Sequence, residues 1–223
     1  MILAIGALAL SVGAALLYPS EGRAGTSGVS LSRVSSAAAG KDGKILVAYF
    51  TWPEPDGVDA SSGASRIIKD GKLYGNTEYV ARMIAEATGG DLFAIETEKE
   101  YPSPHKPLID EAKREQKANE RPRLTTHIDN LAEYDVIFVG YPNWWYDMPM
   151  AIYTFFDEYD FGGKTVIPFV THGGSRFSQS VETIRGLEKQ AKVIEGPAIP
   201  GRSAGDARES IRTWLQRQEL LKK

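Results

Sequence analysis

An open α/β fold built on a parallel sheet is predicted by three features of this chain. Short apolar runs, Ile45 to Phe50, Val136 to Gly140 and Thr165 to Thr171, alternate with segments whose apolar residues recur at helical spacing. The runs are apolar at consecutive residues rather than at every second residue, as parallel strands covered on both faces must be. Loops rich in glycine or aromatic residues follow the runs, at the strand ends where open α/β sheets take ligands.

With 223 residues, 42% hydrophobic and 25% charged, the chain has the profile of one soluble domain plus extra length. A formal net charge of -3 and a pI near 5.7 offer no basic face for nucleic acid, so nucleic acid is excluded as a partner. The chain has no cysteine, which removes disulfides, thiolate nucleophiles and cysteine-ligated zinc.

Met1 to Leu17 is almost wholly apolar, shorter than the roughly 20 residues a spanning helix prefers but suited to a signal core. Gly22-Arg23-Ala24 supplies a small-x-small cleavage site, although no Lys or Arg precedes the apolar run. Residues 1–24 are therefore expected to act as a signal peptide or membrane anchor, which places the chain outside the cytoplasm or at a membrane. If the segment is not a functional signal, the protein is cytoplasmic. Residues 25–43 are rich in Gly, Ser and Ala and read as a flexible linker, with the folded domain at 44–223.

Within that domain, Ile45 to Phe50 is the first strand. Trp52 to Tyr74 is a polar, turn-rich insertion in which Asp70-Gly71, between Ile67-Ile68 and Leu73, signals a β-hairpin. Gly75-Asn76-Thr77 opens a helix with Val80, Ile84 and Ala87 on one face and Gly89-Gly90 as its stop. Leu92 to Ile95 is a short strand. Pro107 to Ala118 is a charged surface helix with Leu108, Ile109 and Ala112 turned inward.

Val136 to Gly140 is the third strand, and Met150 to Tyr159 a helix carrying Ile152, Tyr153, Phe155 and Phe156. In the fourth strand, Thr165 to Thr171, Pro168 cannot donate a ladder hydrogen bond and predicts a local irregularity. Phe177, Val181, Ile184 and Leu187 follow at helical spacing, then Lys192 to Ile194 as a fifth strand. Ser203-Ala204-Gly205-Asp206 reads as a capping box for a last helix with Ile211 and Leu215 inward.

Familiar catalytic signatures fail. Gly162-Gly163-Lys164-Thr165 copies the end of a P-loop, but Glu158 stands where glycine is needed and a strand follows. His172-Gly173-Gly174 is not accompanied by any Gly-x-Ser-x-Gly elbow, no Gly-x-Gly-x-x-Gly occurs, and His105, His127 and His172 are isolated. A serine hydrolase, a dinucleotide-binding crossover and a metal site are thereby disfavoured.

Three ligand-capable loops remain: Thr51 with Gly75-Asn76-Thr77, then Tyr141 to Pro149, then Thr171 to Phe177. They are expected to converge on one edge of the sheet. The first suits a phosphate, because glycine admits close backbone approach and a helix start offers free N–H groups. That loop contains no Lys or Arg. Gly140-Tyr141-Pro142-Asn143-Trp144-Trp145 with Asp147-Met148-Pro149 offers an aromatic wall for a flat ligand.

Together the loops resemble those of the flavodoxin family over about Lys44 to Leu215. Thr51-Trp52 and Gly75-Asn76-Thr77 resemble the family's phosphate loop, split here by an insertion. The Trp144-Trp145 stretch resembles the loop that packs on the isoalloxazine, and Thr171-His172-Gly173-Gly174-Ser175 resembles the third loop. The resemblance implies a flavodoxin-like sandwich with a five-stranded parallel sheet in the order 2-1-3-4-5, and FMN as cofactor. It further implies that Thr51, Asn76 and Thr77 hold the phosphate, that Pro142, Asn143, Trp144 and Trp145 contact ribityl chain and ring, and that His172, Gly173 and Gly174 close the opposite edge. Trp52, Gly75, Asp147 and Thr171 belong to the same cofactor-binding set.

Only one of the adjacent tryptophans is expected to lie flat on the ring, the other packing into the protein. Asp147, Asp157, Glu158 and Asp160 would lower the flavin potential if they gathered near it. The function implied is electron transfer to a redox partner protein or small electron acceptor. An FMN-dependent NAD(P)H or quinone oxidoreductase, with the insertion as a lid, is the alternative, and a flavin-free interaction domain is a third reading.

Overall fold

The computed structural model describes residues 43–54 and 65–222. The expected signal segment, the expected linker except Gly43, and residues 55–64 of the insertion lie outside the described residues.

In chain order the elements are β1 (Ile45–Tyr49), β2 (Arg66–Lys69), β3 (Lys72–Gly75), α1 (Asn76–Thr88), β4 (Asp91–Ala94), α2 (His105–Ala118), β5 (Val136–Pro142) and α3 (Met150–Glu158). They continue with β6 (Thr165–His172), α4 (Ser180–Leu187), β7 (Lys192–Val193), β8 (Ala198–Pro200) and α5 (Arg208–Arg217). The main sheet runs β4-β1-β5-β6-β7, with β8 also on β6, and its pairings are parallel. Leaving out the hairpin, this is the expected order 2-1-3-4-5.

The continuous apolar runs serve two cores at once. From β1, Leu46 and Ala48 face one cluster while Val47 and Tyr49 face the other; from β5, Ile137, Val139 and Tyr141 face the first and Val136 and Phe138 the second. Ala151, Ile152 and Phe155 of α3, Leu108 of α2 and Val181 and Ile184 of α4 cover the first face. Val80, Ile84 and Ala87 of α1 and Ile211 and Leu215 of α5 cover the second. Alternation along a strand sends successive side chains to opposite faces, so an all-apolar strand requires this three-layer arrangement.

The irregularity expected at Pro168 takes a definite form. The fifth strand is broken into β7 and β8 opposite it, and Gly196 N–H donates to the Pro168 carbonyl at 3.0 Å across the break. The hairpin forms a separate two-stranded sheet, its turn made by Asp70 and Gly71 with φ of 51° and 73°. Such left-handed pairs match the twist of the flanking strands.

Several details differ from expectation. The second strand sits one residue earlier, at Asp91–Ala94, and α2 starts at His105, directly after Pro104. The expected capping box does not form: residues Gly201–Asp206 make a 3-10 turn, and α5 begins after Ala207 with no side-chain cap. Leu187 at the end of α4 is exposed instead of buried, because the helix stops there and leaves it at the rim.

Candidate functional site

The carboxyl ends of β1, β5 and β6 open into one cavity of about 310 Å³. That is the lower end of the roughly 300–1,000 Å³ typical of small-molecule sites. The three predicted loops converge here: Thr51, Trp52, Thr77, Pro142, Asn143, Trp144, Trp145, Thr171 and Gly173 all line it.

At one end the cavity meets the start of α1. No side chain caps this 13-residue helix, and Asn76 N–H donates to the Ser65 carbonyl at 2.9 Å, which ties the hairpin's entry to the helix start. Thr77 Oγ1 and Thr171 Oγ1 share a buried hydrogen bond of 2.8 Å. Gly75 lies under Thr51, where a Cβ would come within 1.9 Å of Thr51 Oγ1. Gly75 and Asn76 are buried and do not line the cavity; they shape the backbone beneath Thr51 and Thr77.

The aromatic loop is a tight turn. Trp144 N–H donates to the Asp147 carbonyl at 2.9 Å and Asp147 N–H returns to the Trp144 carbonyl at 3.2 Å. Its central residues, Trp145 and Tyr146, have φ of 53° and 65°. Two bulky residues in the left-handed region cost about 1–2 kcal/mol each, so the turn persists only where its surroundings enforce it. Those surroundings are visible. Trp145 Nε1 donates to the Ile109 carbonyl at 2.7 Å, Asn143 Oδ1 accepts from Tyr146 N–H at 3.1 Å, and the Asp147 carboxylate accepts from Met148 N–H, Tyr153 Oη and Gln179 Nε2.

This gives Asp147 a role other than the expected one. It is 4% exposed and does not line the cavity; its carboxylate is consumed in bracing the turn. The other acidic residues named above also lie elsewhere: Asp157 pairs with Arg121, Glu158 with His127, and Asp160 accepts from Gly162 N–H. None of the four lines the cavity.

Trp144 stands edge-on to Phe50 and Tyr101, with ring centroids 5.6 Å and 5.4 Å away, and so belongs partly to the core. Trp145 remains 37% exposed, and Lys113 Nζ lies over its ring at 4.9 Å.

His172 and Gly174 do not line the cavity. The imidazole Nδ1 accepts from Gly174 N–H at 3.0 Å and so shapes the third loop from behind. Burial, then the charges of Arg176 and Arg202, push the His172 pKa below the usual imidazole range. The folded protein keeps this ring neutral where an unfolded chain would bind a proton, so its contribution is full above the ordinary value and is lost as pH falls through it. Melting temperature should drop as pH goes below about 6.5, and less steeply in His172→Gln. Parallel pH profiles for the two proteins would contradict this.

Residues outside the three predicted loops also line the cavity, Glu54, Ser65, His105, Leu108, Ile109 and Ala112, as do Tyr146 and Ser175 from within them. His105, Leu108, Ile109 and Ala112 have the i, i+3, i+4, i+7 spacing of one helix face, a signal present in the sequence. No Lys or Arg among the described residues lines the cavity.

A parallel sheet wrapped by helices on both faces, with its cavity at the carboxyl ends of β1 and β5 where strand order reverses, defines an open α/β protein of the doubly wound class. The family model described as flavodoxin matches residues 71–218, and the chain belongs to the flavodoxin family. Its structure is similar to a candidate flavoprotein of Bacteroides eggerthii DSM 20697, 29% identical with a TM-score of 0.60 over 78% of this chain and 97% of that one. A candidate flavoprotein of Bacteroides uniformis ATCC 8492 is similar at 30% identity, with a TM-score of 0.59 over 78% of this chain and 98% of its own. A flavoprotein of Lactobacillus acidophilus NCFM, in complex with FMN, shares the fold at 20% identity, with a TM-score of 0.53 over 74% and 97% of the two chains. No curated protein matches the chain.

Proposed function

We propose that the cavity holds FMN and that the protein transfers electrons to a partner protein or small acceptor. The observation that carries this reading is the make-up of one cavity. Hydroxyl residues Thr51, Ser65 and Thr77 gather at an uncapped helix start, and Trp144, Trp145 and Tyr146 supply aromatic surface from a separate loop.

The donor set fits the cofactor at both ends. Free N–H groups and the positive end of a helix dipole favour a phosphate without any cationic side chain. Thr51 and Thr77 would hold it, with Gly75 keeping Thr51 in place. Pro142, Asn143, Trp144 and Trp145 would bind ribityl chain and ring, and Gly173 would close the far edge with its backbone. Bound FMN supplies the electron storage itself. The residues of the chain position it, exclude water from its apolar faces and leave an edge accessible.

Titration of flavin-free protein with FMN should quench flavin fluorescence and perturb its absorption. Riboflavin, which lacks the phosphate, should bind at least about tenfold more weakly, or 1.4 kcal/mol. An unchanged flavin spectrum throughout the titration sinks the proposal, and equal affinities would remove the phosphate from the α1 end.

The proposal extends to location. The apolar segment Met1 to Leu17 exports or anchors the chain, and cell fractionation should find the protein outside the cytosolic fraction. No helix among the described residues is long and apolar enough to cross a membrane.

A further inference from the structure

Glu54 lies outside the residues matched by the family model, in the stretch that separates Thr51 from Gly75-Asn76-Thr77. It nevertheless lines the cavity, and it is 3% exposed. Its Oε1 lies 2.9 Å from His105 Nδ1 at the start of α2, a contact that fixes how the carboxylate is turned. The other oxygen, Oε2, is buried and has no hydrogen-bond partner among the described residues. Burying an acceptor without a donor is costly, and a donor carried by a ligand in the same cavity removes that cost.

The donor's place in the ligand follows from two hydrogen bonds. Glu54 N–H donates to Ser65 Oγ at 3.4 Å, and the Ser65 carbonyl accepts from Asn76 N–H at 2.9 Å. Glu54 therefore belongs to the end of the cavity where α1 begins, the end given above to the phosphate. The aromatic turn that takes the ring is a separate loop. A phosphate offers acceptors and negative charge, so a carboxylate repels it. The donors nearest the phosphate in FMN are the ribityl hydroxyls, whereas the N3–H of the ring lies at the other end of the molecule.

We propose that Glu54 Oε2 accepts a hydrogen bond from a ribityl hydroxyl of FMN, which makes Glu54 the residue that selects a hydroxylated chain between phosphate and ring. The proposal rests on the flavin reading above and gives that site a specificity-determining residue. No Asp or second Glu among the described residues lines the cavity, so the preference traces to this one carboxylate.

The test titrates the flavin-free full chain with FMN and with a phosphopentyl flavin, which has the same ring and phosphate but no hydroxyls on its chain. The unmodified protein should bind FMN at least about tenfold more tightly, the lower range for a hydrogen bond to a charged group. In Glu54→Leu, which keeps bulk but neither oxygen, that preference should shrink by about tenfold. Glu54→Gln, which keeps one neutral acceptor and nearly the same shape, should shrink it by less. FMN methylated at N3 carries every ribityl hydroxyl, and its affinity relative to FMN should be the same in all three proteins.

Equal affinity of the unmodified protein for FMN and the phosphopentyl flavin overturns the proposal, as does a preference that both variants retain in full. Dependence on Glu54 that appears with the N3-methyl flavin and not with the phosphopentyl flavin moves the bond to the ring and overturns the ribityl assignment. If the unmodified protein binds no FMN, the flavin reading fails and this proposal with it. FMN binding with a preference indifferent to Glu54 sinks this proposal alone.

Discussion

Trp145→Ala should weaken FMN binding about 30-fold, close to 2 kcal/mol, while leaving fold stability nearly intact. The indole is held at its edge by the hydrogen bond to the Ile109 carbonyl, and the Lys113 ammonium covers one of its faces. A fixed ring with one face taken by a cation leaves the other for a flat ligand. Being 37% exposed, it buries less of its surface in the empty protein than Trp144 does. Trp144→Ala should behave differently. That ring packs edge-on against Phe50 and Tyr101 in the core periphery, and its loss should cost about 3 kcal/mol of stability as well as affinity. Flavin titrations paired with urea denaturation of both variants separate the two effects. Equal losses of affinity, or none, would refute the division of labour between the two rings.

Gly140→Ala should destabilise the protein by about 3 kcal/mol or more, the upper range for overpacking a core. Gly140 sits in the central strand β5 in register with Phe169 of β6, and the Phe169 ring lies against it. A methyl group there would stand 2.0 Å from Phe169 Cζ. Phe169 is 0% exposed and packed in the core beneath α1 and α5, so the ring has nowhere to go. The strand itself must shift, and with it Tyr141 and Pro142, which launch the tryptophan turn. Urea denaturation reads the change directly, and a midpoint like that of the unmodified protein would contradict the packing argument.

Much of the fold was legible because its evidence is local. All-apolar strands, the Asp70-Gly71 turn, the Gly89 stop and the proline in β6 each act through backbone geometry within a few residues. Errors fell where local signals mislead. Ser203 to Asp206 satisfies a capping pattern but is drawn into a 3-10 turn, and Asp147 looks like a ligand residue but is spent on Tyr153, Gln179 and Met148 N–H. His105 carried a helix-face signal in its spacing to Leu108, Ile109 and Ala112, but its contact with Glu54 is not local.

The sequence by itself determined the parallel α/β class, the order of the three loops and the flavodoxin family to which they point, because periodicity and loop chemistry are written along the chain. Only the tertiary structure decided which side chains share the cavity. It set α2 against the tryptophan turn, forced Trp145 and Tyr146 into left-handed backbone, and brought His105 to Glu54 across 51 residues of chain. Such contacts depend on how whole elements pack, a property that no local stretch of sequence contains.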